Sequence, residues 1–245
     1  MKRREFIKNS AIFGALGVVV GANLSPNLLF GAENLAKSNK DFIKFNADEF
    51  AKFSTNLKEN LSKFAKNHKI LIVYYTRTLN TKIIAEYLSW LFGGDLFALQ
   101  TLQNYPSDLA KMVEIAVKET NEDKFPPLKE MPNLEPYDTI FIASPIWNMT
   151  LTPPMAAFLA NADFKDKTLF AFLTHCGYGI GNSSKKIAKL AKNALLKDIF
   201  SQQTICERNE PNLKTKNLSL ISQNLEHSII DTTEIEKIYL SLKDI

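Results

Sequence analysis

The 245-residue sequence predicts an α/β protein: a doubly wound five-stranded parallel sheet with helices on both faces, in three α/β/α layers. Two observations carry that expectation. Short continuous apolar runs, rich in β-branched and aromatic residues and too short for helices, recur from Lys69 onward, as in strands buried on both faces. Between them lie segments whose apolar residues return every three or four positions, as in helices with one buried side. A chain that is 45% hydrophobic and 23% charged suits one globular domain with extensions.

Residues 1–32 stand apart from that domain. Lys2-Arg3-Arg4-Glu5-Phe6-Ile7-Lys8 precedes a mild apolar segment, Ala11 to Ala22, too short and glycine-rich to span a bilayer comfortably. The Arg-Arg-x-Phe-Ile-Lys order is similar to the twin-arginine export signal, which implies a periplasmic protein delivered folded, often with its cofactor in place. Phe30-Gly31-Ala32 and Val20-Gly21-Ala22 are rival cleavage sites, and an uncleaved segment is the one membrane attachment the sequence offers. Removing residues 1–32 takes away Lys2, Arg3, Arg4, Lys8 and Glu5, so the net charge falls from +4 to +1. Without a basic surface there is no case for a nucleic-acid partner. Residues 33–68 hold a polar linker and then Phe50, Phe53, Leu57, Leu61 and Phe64, an amphipathic helix that reads as packing or spacer.

The domain itself is placed at residues 69–245. Lys69 to Tyr75 is the first strand, and Ile83, Ile84, Tyr87, Leu88 and Leu91 mark the helix after it. Asp95 to Thr101 is the second strand. Leu109 to Lys118 is a helix with Ser107 and Asp108 as candidate caps. Thr120 to Tyr137 carries four prolines and reads as irregular. Thr139 to Ala143 is the third strand, and Pro153 and Pro154 open a helix. Thr168 to Leu173 is the fourth strand. Ser183 to Leu196 is a helix with Ile187, Leu190 and Leu195 facing in, Gln203 to Cys206 the fifth strand, and Asp231 to Leu242 a last helix.

A sheet of this kind binds ligand at the carboxyl ends of its strands, so the loops there hold the candidate site. After the first strand come Thr76, Arg77, Thr78, Leu79, Asn80 and Thr81, hydroxyls, an amide and a guanidinium leading into a helix N-terminus. Backbone N–H groups and the positive end of the helix dipole make that an anion site, although Asn80 or Thr81 could equally serve as a plain cap. The segment resembles the phosphate loop of the flavodoxin family, Ser/Thr-x-Thr-Gly-Asn-Thr, with Leu79 in the glycine's place. If that place needs a positive φ, leucine costs roughly 1–2 kcal/mol.

Two further loops carry the resemblance. Pro145, Ile146, Trp147, Asn148, Met149 and Thr150, running on to Pro153-Pro154, resemble the Pro-Ile-Trp segment that lies beside the flavin ring in this family, with Asn148 and Met149 where relatives often have Trp and Gly. Thr174, His175, Cys176, Gly177, Tyr178 and Gly179 resemble its second flavin loop, where close-set glycines let backbone N–H groups approach a ligand. Trp147 could stack on a heterocycle or pack as a lid. The resemblance implies strand order 2-1-3-4-5, bound FMN, no catalytic side chain, and a redox partner protein or a small-molecule oxidant. Three functions stay open: an electron carrier, an FMN-dependent reductase of a quinone or similar oxidant, and a fold that has lost flavin and acts as a binding module. The near-neutral domain charge leans away from charge-steered docking. Cys176 and Cys206 are expected as two separate thiols, since adjacent parallel strands rarely suit a disulfide. Their spacing, with three scattered histidines, makes no metal site. No hydrolase nucleophile motif or nucleotide P-loop is present.

Overall fold

The computed structural model describes residues 66–209 and 212–216. The segment read as an export signal, the linker and amphipathic helix expected up to residue 65 and the helix expected over 231–242 lie outside the described residues. Within them ten elements alternate: β1 (Ile70–Tyr74), α1 (Asn80–Phe92), β2 (Asp95–Ala98), α2 (Leu109–Asn121), β3 (Thr139–Trp147), β4 (Thr150–Leu151), α3 (Pro153–Asn161), β5 (Thr168–His175), α4 (Ser183–Leu190) and β6 (Leu195–Gln203). The sheet order is β2-β1-β3-β5-β6, every pairing along it parallel, with β4 hung antiparallel on β3. With that small hairpin set aside, the order is 2-1-3-4-5.

The apolar runs make central strands because both of their faces are covered. At one level of the register Ile72, Phe141 and Phe170 sit side by side, and at the next Val73, Ile142 and Ala171. All six are fully buried. Phe141 stacks between Phe92 of α1 and Phe170 of β5, with ring centroids 5.1 and 4.9 Å away. The opposite face of the sheet joins Val73, Ile140, Ile142 and Leu173 to Met155, Phe158 and Leu159 of α3 in one apolar cluster. Each buried aromatic contributes on the order of 2–3 kcal/mol of transfer free energy.

Caps mark where the helices stop and start. Asp108 accepts the Lys111 N–H at 2.9 Å and so caps α2, as its position before the apolar repeat suggests. Pro153 opens α3, and Gly93 closes α1 in the left-handed conformation.

Three expectations are corrected. The third strand runs to Trp147 instead of ending at Ala143. β1 stops at Tyr74, so beyond Ala143 the chain has parallel β5 on one side only, and Pro145 is tolerated on that half-open stretch. The segment read as a loop over 144–152 is therefore strand, tight turn and strand. The last helix before the edge ends at Leu190 rather than Leu196, and the fifth parallel strand is Leu195–Gln203 rather than Gln203–Cys206. Leu195, expected to face inward on a helix, begins that strand and is exposed. An edge strand buries little, and only Phe200 and Gln202 are buried here, so no apolar run announces it.

Candidate functional site

The carboxyl ends of β1, β3 and β5 lie side by side: Tyr74 pairs with Ala143, and Pro145 pairs with Thr174. The loops leaving these ends make the candidate site. After β1 the chain turns into α1 within Tyr75–Leu79, and Leu79 carries the turn with φ 71° and ψ −4°. That is the left-handed region, so the place named as needing positive φ does need it, and a leucine fills it. Leu79, at the N-cap, makes no side-chain cap hydrogen bond, and no acidic residue stands in the first turn of α1. The positive end of the dipole of this 13-residue helix thus has no first-turn carboxylate set against it.

The loop's side chains divide into two groups. Arg77 donates from one guanidinium nitrogen to Glu207 and from the other to the Ser107 carbonyl oxygen at 2.6 Å. Burial lowers its pKa from the usual guanidinium value, against the attraction of Tyr75 and Asp108. Asn80 donates to Thr204 Oγ1 at 3.1 Å and to the Ile205 carbonyl at 3.0 Å. The buried Thr81 hydroxyl meets that of Thr174 at 3.0 Å, tying the loop to the end of β5. Thr76 stands in the second group: its Oγ1 is buried and has no hydrogen-bond partner. An uncompensated buried hydroxyl costs about 1–3 kcal/mol, so it marks a place where an acceptor or donor fits.

Beyond β3, Asn148 and Met149 form a two-residue turn, since Trp147 pairs with Thr150. Both have positive φ, 47° and 60°, the arrangement of a type I′ hairpin that follows the right-handed twist of its strands. Asn suits its position, whereas Met149 stands where glycine would be unstrained. Pro145, Ile146 and Trp147 are half-buried, and the Thr150 hydroxyl is buried without a partner. Trp147 packs edge-on against Tyr75 and Tyr105, with centroids 5.5 and 5.3 Å apart. Tyr105 donates its hydroxyl to Glu119, and burial raises the pKa of both groups, that bond opposing the rise at Glu119.

After β5, Thr174 and His175 are the last residues of the strand. His175 Nδ1 accepts the Gly177 N–H at 3.0 Å. Gly177 and Gly179 have φ of 98° and 74°, and Tyr178 between them is 74% exposed. The loop reaches the hairpin directly, where Asn182 N–H donates to the Met149 carbonyl at 2.9 Å. A Cβ on Gly181 would sit 1.9 Å from that oxygen, so the approach requires glycine. Cys176 and Cys206 are joined in a disulfide with Cα atoms 5.2 Å apart, not the two thiols expected. The objection from parallel strands fails because both cysteines lie just past the strand ends, in loops free to turn toward each other.

Sequence reasoning missed Tyr75, Tyr105, Ser107 and the segment Thr204–Glu207. The last three are 30 or more residues from the loop they brace, and no local pattern signals such a partner.

An open parallel sheet that gathers a helix N-terminus and two loops at its carboxyl edge defines a class of proteins that hold phosphorylated heterocycles. The family model described as Flavodoxin matches residues 69–209, more than half of the chain. The chain belongs to the flavodoxin family. Among solved structures it is similar to a flavoprotein of Bacteroides eggerthii DSM 20697, with 27% identity and a TM-score of 0.52 over 63% of this chain and 96% of that one. A flavoprotein of Bacteroides uniformis ATCC 8492 has 21% identity and a TM-score of 0.50, over 60% and 96%. A flavoprotein of Lactobacillus acidophilus NCFM in complex with FMN has 22% identity and a TM-score of 0.49, over 55% and 93%. No curated protein matches the chain.

Replacing Leu79 by glycine removes the left-handed strain, and the substitution Leu79→Gly is expected to raise stability by about 1 kcal/mol. Urea denaturation reads it, and a loss of stability would mean that the leucine side chain repays its own strain by packing.

Proposed function

We propose that the protein is an exported flavoprotein that holds FMN non-covalently and passes electrons through it. The observation that carries this reading is the β1–α1 turn. It leaves a helix N-terminus uncapped and a threonine hydroxyl, Thr76 Oγ1, buried without a partner. A phosphate placed there would face the positive end of the helix dipole and accept the Thr76 hydroxyl, giving that buried group its partner. Arg77, Asn80 and Thr81 then serve the phosphate by fixing the loop, since their side chains already hold Glu207, Ser107, Thr204, Ile205 and Thr174.

The flavin ring would lie between Pro145–Thr150 and Thr174–Gly179, the two loops flanking the same edge. Trp147, held by Tyr75 and Tyr105, gives that side a rigid aromatic wall, and exposed Tyr178 stands free to cover the other. When bound, FMN supplies one- or two-electron chemistry, and the chain's own residues position it and tune it. The electron partner is a protein or a small oxidant. A domain charge close to neutral favours a reductase of a quinone or similar molecule over a carrier that docks by charge.

Export by the twin-arginine route to the periplasm is supported by Arg3-Arg4 and by the disulfide, which persists in oxidising compartments. Changing both arginines to lysine is expected to leave the protein in the cytoplasm, read by fractionation; undiminished export would remove this part of the reading.

For the cofactor, the test is Thr76→Val in the full chain. The variant is expected to bind FMN about 10-fold or more weakly, while the flavin-free protein keeps its stability or gains some because a buried orphan hydroxyl has gone. Flavin fluorescence quenching and urea denaturation give the two numbers. Unchanged FMN affinity would place the phosphate elsewhere, and wild-type protein that ignores FMN would leave the binding-module reading.

A further inference from the structure

The Cys176–Cys206 disulfide is set at the functional edge of the sheet rather than in its core. Cys176 lies one residue past β5 and is exposed, while Cys206 lies three residues past β6 and is half-buried. The chain leading to Cys206 is aligned with β5 without help from the sulfurs. His175 pairs with Gln203, and Thr204 N–H donates to the His175 carbonyl at 2.8 Å. Asn80 adds bonds to Thr204 and Ile205, and Glu207 is paired with Arg77. Opening the S–S bond therefore leaves two thiols held close by non-covalent contacts, ready to close again. An exposed disulfide with both redox states held in one framework is the kind that exchanges, whereas stabilising disulfides are sheltered and resist reduction.

We propose that Cys176–Cys206 is a thiol–disulfide exchange site whose substrate is a dithiol, most simply a pair of cysteines on another protein. A thiolate of the dithiol attacks Sγ of Cys176, the exposed residue of the pair. The S–S bond breaks, and Cys206 departs as a thiolate that takes up a proton. The second thiolate of the dithiol then attacks the partner sulfur of the mixed disulfide and displaces Cys176, which is protonated in turn. Two electrons and two protons pass from the dithiol to this chain, and the dithiol becomes a disulfide. The same bond ties the loop over Thr174–Gly179 to the segment whose Glu207 and Thr204 hold Arg77 and Asn80. Its redox state thus acts on both halves of the edge where the cofactor is proposed to bind. The exchange itself needs no flavin.

The full-length native protein, without added flavin, is equilibrated in glutathione buffers of rising reduced-to-oxidised ratio, then quenched and alkylated for mass analysis. The disulfide is expected to pass through half-reduction within that series while circular dichroism stays native. A disulfide that remains closed in wholly reduced glutathione, or opens only as the protein unfolds, would overturn the proposal. Cys206→Ser and Cys176→Ser then locate the attacked sulfur with oxidised glutathione. Cys176 is expected to form its mixed disulfide about 10-fold faster than Cys206, and equal rates would overturn the assignment. Because neither readout involves FMN, loss of the flavin reading and loss of this one are separately visible.

Discussion

The turn from β1 into α1 constrains the rest of the site. β1 is buried on both faces and α1 must pack back over the sheet, so the chain has to change direction within a few residues. A left-handed residue accomplishes that, and the chain uses Leu79 at a cost of about 1–2 kcal/mol. The conformation survives a side chain that disfavours it because Asn80, Thr81 and Arg77 are each anchored to other elements. Strain held in this way by its surroundings is a feature of sites that must keep a fixed shape.

The same anchoring decides the electrostatics of the loop. Arg77 is the one cation in Thr76–Thr81, and its charge is offset by Glu207. Attraction for an anion bound there would then rest on helix dipole, backbone N–H groups and the Thr76 hydroxyl. These act at short range and select for geometry rather than for charge alone. A similar economy holds across the edge: the Met149 carbonyl and Gly181 bring the hairpin and the β5 loop into direct contact, with Met149 itself in a left-handed conformation. Two bulky residues, Leu79 and Met149, thus occupy backbone positions that glycine would fill without strain.

The central strands were legible in the sequence because burial on both faces forces a continuous apolar run, as in Ile70–Tyr74 and Thr168–Leu173. The edge strand Leu195–Gln203 was not, since one covered side leaves room for Lys197, Asp198 and Ser201 and blurs the period. The loops were legible as a set through their resemblance to a family, yet their internal geometry was not. Ser144 and Pro145 read as the start of a loop, whereas the strand continues through them, and Asn148-Met149 did not read as a hairpin turn without a glycine. Long-range partners were invisible for a simpler reason. Nothing local to Arg77 points to Glu207, and nothing local to Cys176 points to a cysteine that curls back beyond a neighbouring strand.

If the β1–α1 turn is a phosphate site, the phosphate must account for a large part of the affinity. Titrating the flavin-free protein with FMN and with riboflavin, which shares the ring and lacks the phosphate, measures that share directly. FMN binding at least about 100-fold tighter than riboflavin is the predicted result, as several charge-assisted hydrogen bonds would be lost together. Equal affinities would contradict the account, because the uncapped helix and the buried Thr76 hydroxyl would then have no part in holding the cofactor.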